Sequence, residues 1–215
     1  MSVRCPSCFY PVQNCYCRYI VPIRQEIRFV FLMHPVEAYR QRTGTGRLAS
    51  LSLEGSEIVI TETPDSHSRF RTLLADPEMF WMVLYPGKEA LPAGDTDFRT
   101  LLGNRRPGVI LIDGTWNQAR KMMHRNGCLR ALPRLSFSGR YLSRFSIKTQ
   151  PASYCLSTIE SAYYLIRELQ AGGFCDSRTD PEGLMEVFQK MVRFQEESRL
   201  RRFEANRKKG SPTGP

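Results

Sequence analysis

Short apolar runs recur along this chain, each followed by a stretch in which apolar residues return every three or four positions, and that alternation leaves few folds open. The runs Phe29-Val30-Phe31-Leu32-Met33 and Val109-Ile110-Leu111-Ile112 are too short for the roughly 20 residues that span a bilayer, and suit strands buried on both faces. The pattern predicts strands over 27–33, 57–61, 81–85, 109–112 and 134–137. It predicts helices over 35–42, 45–53, 66–75, 115–125, 157–170 and 181–206, with Gly172-Gly173 stopping the fifth of them. Strand and helix in this order imply an α/β domain built on a largely parallel sheet with helices on both faces. Ligands of such sheets bind outside the carboxyl ends of the strands, so the turns after Tyr85 and Ile112 are the first places to look. With 41% hydrophobic residues in 215, the chain can bury one substantial core.

The first 20 residues break the pattern. Cys5, Cys8, Cys15 and Cys17 stand there among Pro6, Pro11 and Asn14, a composition of turns with almost no core. No apolar leader precedes them, so the expected compartment is the cytoplasm, where crowded cysteines serve metals more than disulfides. Two close pairs can supply the four vertices of a structural zinc site. An iron–sulfur cluster or four free thiols are the alternatives. Cys128, Cys155 and Cys175 lie apart and suit packing. The expected organisation is a zinc-binding knuckle over 1–22, one domain over 23–206 and a flexible basic tail over 207–215.

The strand ending at Ile112 runs directly into Asp113-Gly114-Thr115-Trp116. Gly114 permits a sharp turn close to a ligand, Asp113 and Thr115 place polar atoms at a helix N-terminus, and Trp116 adds a large flat face. The same residues also suit a plain helix cap and a core tryptophan. Ser157 and Thr158 begin another helix, where hydroxyls and free N–H groups can hold a carboxylate or complete a capping box with Glu160. His34, at a strand end before Pro35, reads as a structural histidine.

In this turn the sequence resembles the DTW-domain family of tRNA-uridine aminocarboxypropyltransferases. The family's Asp-x-Thr-Trp signature stands as Asp113-Gly114-Thr115-Trp116, and the cysteine knuckle also matches. Further similar motifs are Leu32-Met33-His34-Pro35-Val36-Glu37, Thr45-Gly46-Arg47-Leu48, Leu84-Tyr85-Pro86-Gly87 and Leu156-Ser157-Thr158-Ile159-Glu160. Gly44 and Ser161 depart from it, standing where the family pattern has asparagine and alanine. The resemblance implies a SPOUT-like α/β fold whose C-terminal knotted segment helps hold S-adenosylmethionine. It also implies transfer of that molecule's 3-amino-3-carboxypropyl arm to N3 of a tRNA uridine, releasing methylthioadenosine. On this reading Asp113 accepts or orients the N3 proton, while Tyr85, Pro86, Gly87, Gly114, Thr115, Trp116, Leu156, Ser157 and Thr158 form the cofactor site.

Charge points the same way. The chain carries 31 Lys and Arg against 21 Asp and Glu, a net +10, which asks for a polyanionic partner. Arg47, Arg120, Lys121, Arg140 and Arg144 are the candidate RNA contacts, with Tyr141 and Phe145 available for stacking. A basic face that only confers solubility is the plainer reading of the same residues. The zinc knuckle can add Arg4 and Arg18 to this surface. A zinc-stabilised RNA-binding module without catalysis and a methyltransferase on the same fold are the competing functions.

Overall fold

The computed structural model describes residues 3–40, 44–147 and 155–209. Six strands form one all-parallel sheet in the order β2-β1-β5-β3-β6-β4. They are β1 Arg28–Met33, β2 Glu57–Ile60, β3 Met79–Leu84, β4 Leu91–Pro92, β5 Arg106–Asp113 and β6 Arg134–Ser136. Eight α-helices are described: α1 Pro35–Arg40, α2 Thr45–Ser52, α3 Ser68–Leu74, α4 Thr96–Leu102, α5 Trp116–Arg125, α6 Gly127–Arg130, α7 Thr158–Ala171 and α8 Glu182–Lys209. Among the described residues no helix is long and apolar enough to cross a membrane.

The uninterrupted apolar runs follow from two covered faces. Phe29, Phe31, Met82, Val109 and Leu111 enter one core with residues of α2, α7 and α8, while Val30, Leu32, Trp81, Val83 and Ile110 enter a second with α3, α5 and α6. Successive strand residues point to opposite faces, so a strand buried on both cannot alternate with polar residues.

Three elements escaped the periodicity. The two-residue β4 and the single-turn α6 are too short to show a period, and α4 opens on the polar pair Thr96-Asp97. The start of α6 is set by a distant residue: Asp65 accepts from Gly127 N and Cys128 N, both at 2.8 Å. Strand β3 begins at Met79, two residues before the expected start, and ends one residue before Tyr85; within it the Trp81 indole N–H donates to Leu73 O at 2.7 Å. Helix α8 continues to Lys209, past the expected start of the tail at 207. The remainder of that expected tail and the last two residues of the helix expected over 35–42 lie outside the described residues.

The knuckle borrows the core of the larger domain. Cys8, Tyr10 and Tyr16 are buried in the same cluster as Phe188 and Met191 of α8, and Tyr10 meets Tyr16 edge to face at 4.8 Å between ring centres.

Candidate active site

The chain places β5 between β1 and β3, although β2 lies beyond β1 on the other side. The ends of β1, β5 and β3 therefore open at a switch in strand order, where the diverging connections leave a crevice. Asp113 is the last residue of β5, paired in register with Met33, and its carbonyl accepts from His34 N at 2.9 Å. His34 is otherwise occupied: its Nδ1 accepts from Val36 N at 3.2 Å and its Nε2 lies 3.4 Å from Glu62.

The Asp113 carboxylate is 5% exposed and sits between two helix N-termini. Its Oδ1 accepts from the hydroxyl of Thr158, the first residue of α7, at 2.5 Å. Its other face lies against α2 so closely that a methyl group on Gly46 would stand 2.2 Å from Oδ2. Arg47, next along α2, adds an attractive positive charge, while its own partial burial lowers the guanidinium's proton affinity. Helix N-termini and a cation together stabilise an anion at this point.

Beside Asp113, across Thr158, lies an open cleft with a cavity volume of about 90 Å³. Trp116, 41% exposed, and Tyr85 provide aromatic walls, with Leu84, Leu111 and Leu156 beside them and the hydroxyls of Thr158 and Ser161 on the polar side. Gly114 completes the turn that admits it. Of the residues named from the sequence, Tyr85, Gly114, Trp116, Leu156 and Thr158 line this cleft, whereas Pro86, Gly87, Thr115 and Ser157 do not line it. Asp113 reaches it through Thr158. The hydroxyl of Thr115 is spent on its helix: Oγ1 accepts from Gln118 N at 3.3 Å, and Gln118 Oε1 accepts from Thr115 N at 2.7 Å.

Two buried glutamates on α7 hold the segment after β6 against the site. Glu160, fully buried, accepts from Ser157 N at 2.8 Å and Ser157 Oγ at 2.6 Å, the capping box legible in the sequence. It also accepts from Ser143 Oγ at 2.8 Å and Arg144 N at 2.6 Å. Two turns on, Glu168 accepts from Ser138 N, Gly139 N and Tyr141 Oη at 2.7–2.9 Å. Glu168 was missed because its donors lie about 30 residues away in sequence; the only signal was a carboxylate on the apolar stripe with Ala162, Leu165, Ile166 and Leu169.

The four knuckle thiols converge. Their sulfurs all lie within 4.8 Å of one another, with Cys5–Cys17 and Cys8–Cys15 at 3.7 Å. Sulfurs about 2.3 Å from a tetrahedral ion would be about 3.8 Å apart, so the cage has the dimensions of a metal site. Backbone N–H groups of Cys8 and Ser7 draw the Cys5 thiol down to about 6, whereas burial pushes Cys8 and Cys17 up. Thiolates on all four need a cation among them.

This cage also touches the α2 side of the site. Tyr10 Oη donates to Gly44 O at 3.3 Å, just before α2, and the Phe9 ring lies 3.9 Å from the Arg47 guanidinium carbon. Arg47 Nη2 donates to Ala38 O at 3.1 Å, so this half-buried arginine faces inward. Arg120, Lys121, Arg140 and Arg144 are exposed: the first two on α5, one turn beyond Trp116, the others on the segment bound by the α7 glutamates.

No solved structure matches the chain. A Drosophila melanogaster protein named tRNA-uridine aminocarboxypropyltransferase 2 is 28% identical over 176 residues, 78% of this chain and 67% of that protein. Its Mus musculus namesake is 27% identical over 161 residues, 74% and 53% respectively, and that of Macaca fascicularis 26% over 200, 89% and 63%. The chain thus matches between about half and two thirds of these relatives' lengths. The model of one family, the DTW domain, matches residues 2–196, from the knuckle through the Asp113–Trp116 turn and into α8. With nearly its whole length inside that match, the chain belongs to the DTW domain family.

Proposed function

We propose that this chain transfers the 3-amino-3-carboxypropyl arm of S-adenosylmethionine to N3 of a uridine in tRNA, releasing methylthioadenosine. The observation that carries the reading is the bond from Thr158, a residue lining the cleft, to the buried Asp113 carboxylate beneath it. The donor molecule supplies a sulfonium whose γ-carbon is open to a nucleophile. The chain decides which carbon reacts by alignment at near-attack distance.

The cleft suits such a donor. Trp116, Tyr85 and Leu156 offer apolar surface to a flat adenine, and the N-terminus of the 14-residue α7 at Thr158 offers free N–H groups to the arm's carboxylate. Uridine N3 carries a proton at neutral pH and attacks poorly with it. In the proposed sequence N3–H donates to Thr158 Oγ1 and the Thr158 proton passes to Asp113 Oδ1, neutralising the carboxylate; the helix N-termini and Arg47 favour the carboxylate, so the transfer completes only as N3 bonds to the γ-carbon and the C–S electron pair leaves with methylthioadenosine. Arg120, Lys121, Arg140 and Arg144 bind phosphates, whereas Arg47, between Phe9 and Asp113, acts on the site.

Zinc is the ion assigned to the knuckle, since four thiolates close a tetrahedron and leave no position for substrate. We read the fold as SPOUT-like with a C-terminal knot, a knuckle over 1–22 and one domain from residue 23; the segment after β6 is bound along α7 by Glu160 and Glu168. Thiolate ligands need reducing conditions, which supports a cytoplasmic enzyme.

The test is to incubate the chain with unmodified tRNA and donor labelled in either the carboxyl arm or the methyl group. Arm label in tRNA is expected; methyl label would make it a methyltransferase, and neither would make it a binding module. Asp113→Asn, which keeps shape but not basicity, should lower arm transfer by about 10²–10⁴-fold with donor binding intact. Thr158→Ser should retain more activity than Thr158→Ala. Near-normal turnover by Asp113→Asn would refute the assignment.

A further inference from the structure

The knuckle and α8 border a second groove, with a cavity volume of about 290 Å³, that the chemistry at the cleft leaves unused. Arg4, Phe9 and Asn14 form one wall, and Phe194, Ser198 and Arg202 the other. No acidic residue is among the described residues lining it. Carboxylates on the adjoining part of α8 are engaged elsewhere: Glu196 accepts from Ser146 Oγ at 2.5 Å, and Glu197 faces Arg201 at 3.9 Å.

Two details show preparation for a ligand. Arg4 is held at the wall, its Nη1 donating to Phe9 O at 3.2 Å while its backbone bridges to Pro11. Phe9 has φ 62, a left-handed conformation that bulky residues adopt only under constraint, and keeps its ring 37% exposed. One face of that ring is covered by Arg47, which does not line the groove, so the rest of the ring is what the groove can offer. An anchored guanidinium at Arg4 and an exposed one at Arg202, with no carboxylate among the described residues lining the groove and aromatic surface between them, suit single-stranded nucleic acid: phosphates for the arginines and a base for the ring.

We infer that this groove holds an unpaired stretch of the RNA substrate, with Arg4 and Arg202 on two of its phosphates and a base stacked on Phe9. The inference rests on the reading of RNA as substrate. The test uses the zinc-loaded full chain and unmodified tRNA, with affinity measured across a salt series.

Arg4→Gln/Arg202→Gln removes two phosphate contacts and should flatten the slope of log affinity against log salt by about 1.4. Arg202→Gln alone, on an exposed helix and away from the cysteines, should give about half of that change. Phe9→Gly suits the left-handed turn and should weaken binding about tenfold by removing the stack. Zinc content and binding of S-adenosylmethionine serve as folding controls. Unchanged affinity and slope in all three variants, with arm transfer by the unaltered chain, would overturn the groove and leave the transferase reading intact. Weakened tRNA binding in the variants, with no arm transfer by the unaltered chain, would support the groove and overturn that reading.

Discussion

Replacing Gly46 by alanine tests the site at its tightest point. The new methyl carbon would stand 2.2 Å from Asp113 Oδ2 and 2.6 Å from its Cγ, where real contacts do not fall below 3.0 Å. Either the carboxylate or the first turn of α2 must retreat by about 0.8 Å, since close-packed surroundings leave no void to take the methyl group. Retreat of the carboxylate breaks its bond to Thr158, and a misplacement near 1 Å costs about 10²-fold in rate. Losing a hydrogen bond to a charged group costs about 1.5–3 kcal/mol, whereas alanine improves a helix over glycine by up to about 1 kcal/mol. The net destabilisation is about 0.5–2 kcal/mol, or roughly 1–8 °C in Tm for a chain of this size. Gly44→Ala is the control, because nothing lies within 4 Å of a methyl group there. Arm-transfer rates and thermal melts of both variants decide the matter. Gly46→Ala with wild-type turnover and an unchanged Tm would show that the carboxylate is not wedged as described.

Three further outcomes follow from the geometry. Elemental analysis should find one zinc per chain, and its removal by a chelator should lower Tm by roughly 10 °C, because the knuckle's Tyr10 and Tyr16 are part of the main core. Glu160→Gln should destabilise the chain by about 3 kcal/mol in urea titrations, since its amide group would oppose donors from Ser157, Ser143 and Arg144. Glu57 is held below its ordinary 4.5 by Arg69, and Asp65 below 3.8 by Cys128 and Gly127. The stability they contribute is therefore complete above those values and lost as pH falls through their lower folded ones. Between pH 5 and 2, Glu57→Gln should lose less stability than the unaltered chain in acid titration by circular dichroism.

Strands β1, β3 and β5 were legible because their runs bury two faces, and α5 and α7 because their caps, Thr115 with Gln118 and Ser157 with Glu160, are local pairs. The Asp113–Trp116 turn was legible for the same reason: its residues are neighbours in the chain. What escaped was made by distant partners, such as Asp65 starting α6 and Glu168 binding the segment after β6. Arg47 reads on the sequence as one more exposed cation, and only its position under Phe9 turns it inward.

The sequence by itself determined the parallel α/β layering, the four-cysteine cage and the signature turn, because all three are written in short-range spacing and in which residues shun water. Tertiary structure decided the rest. It set Asp113 behind Thr158 rather than in the open cleft, pressed Gly46 against the carboxylate, and seated the knuckle on α2 and α8. Those contacts join segments dozens of residues apart, and the packing that fixes them depends on the shape of the whole core, which no local pattern encodes.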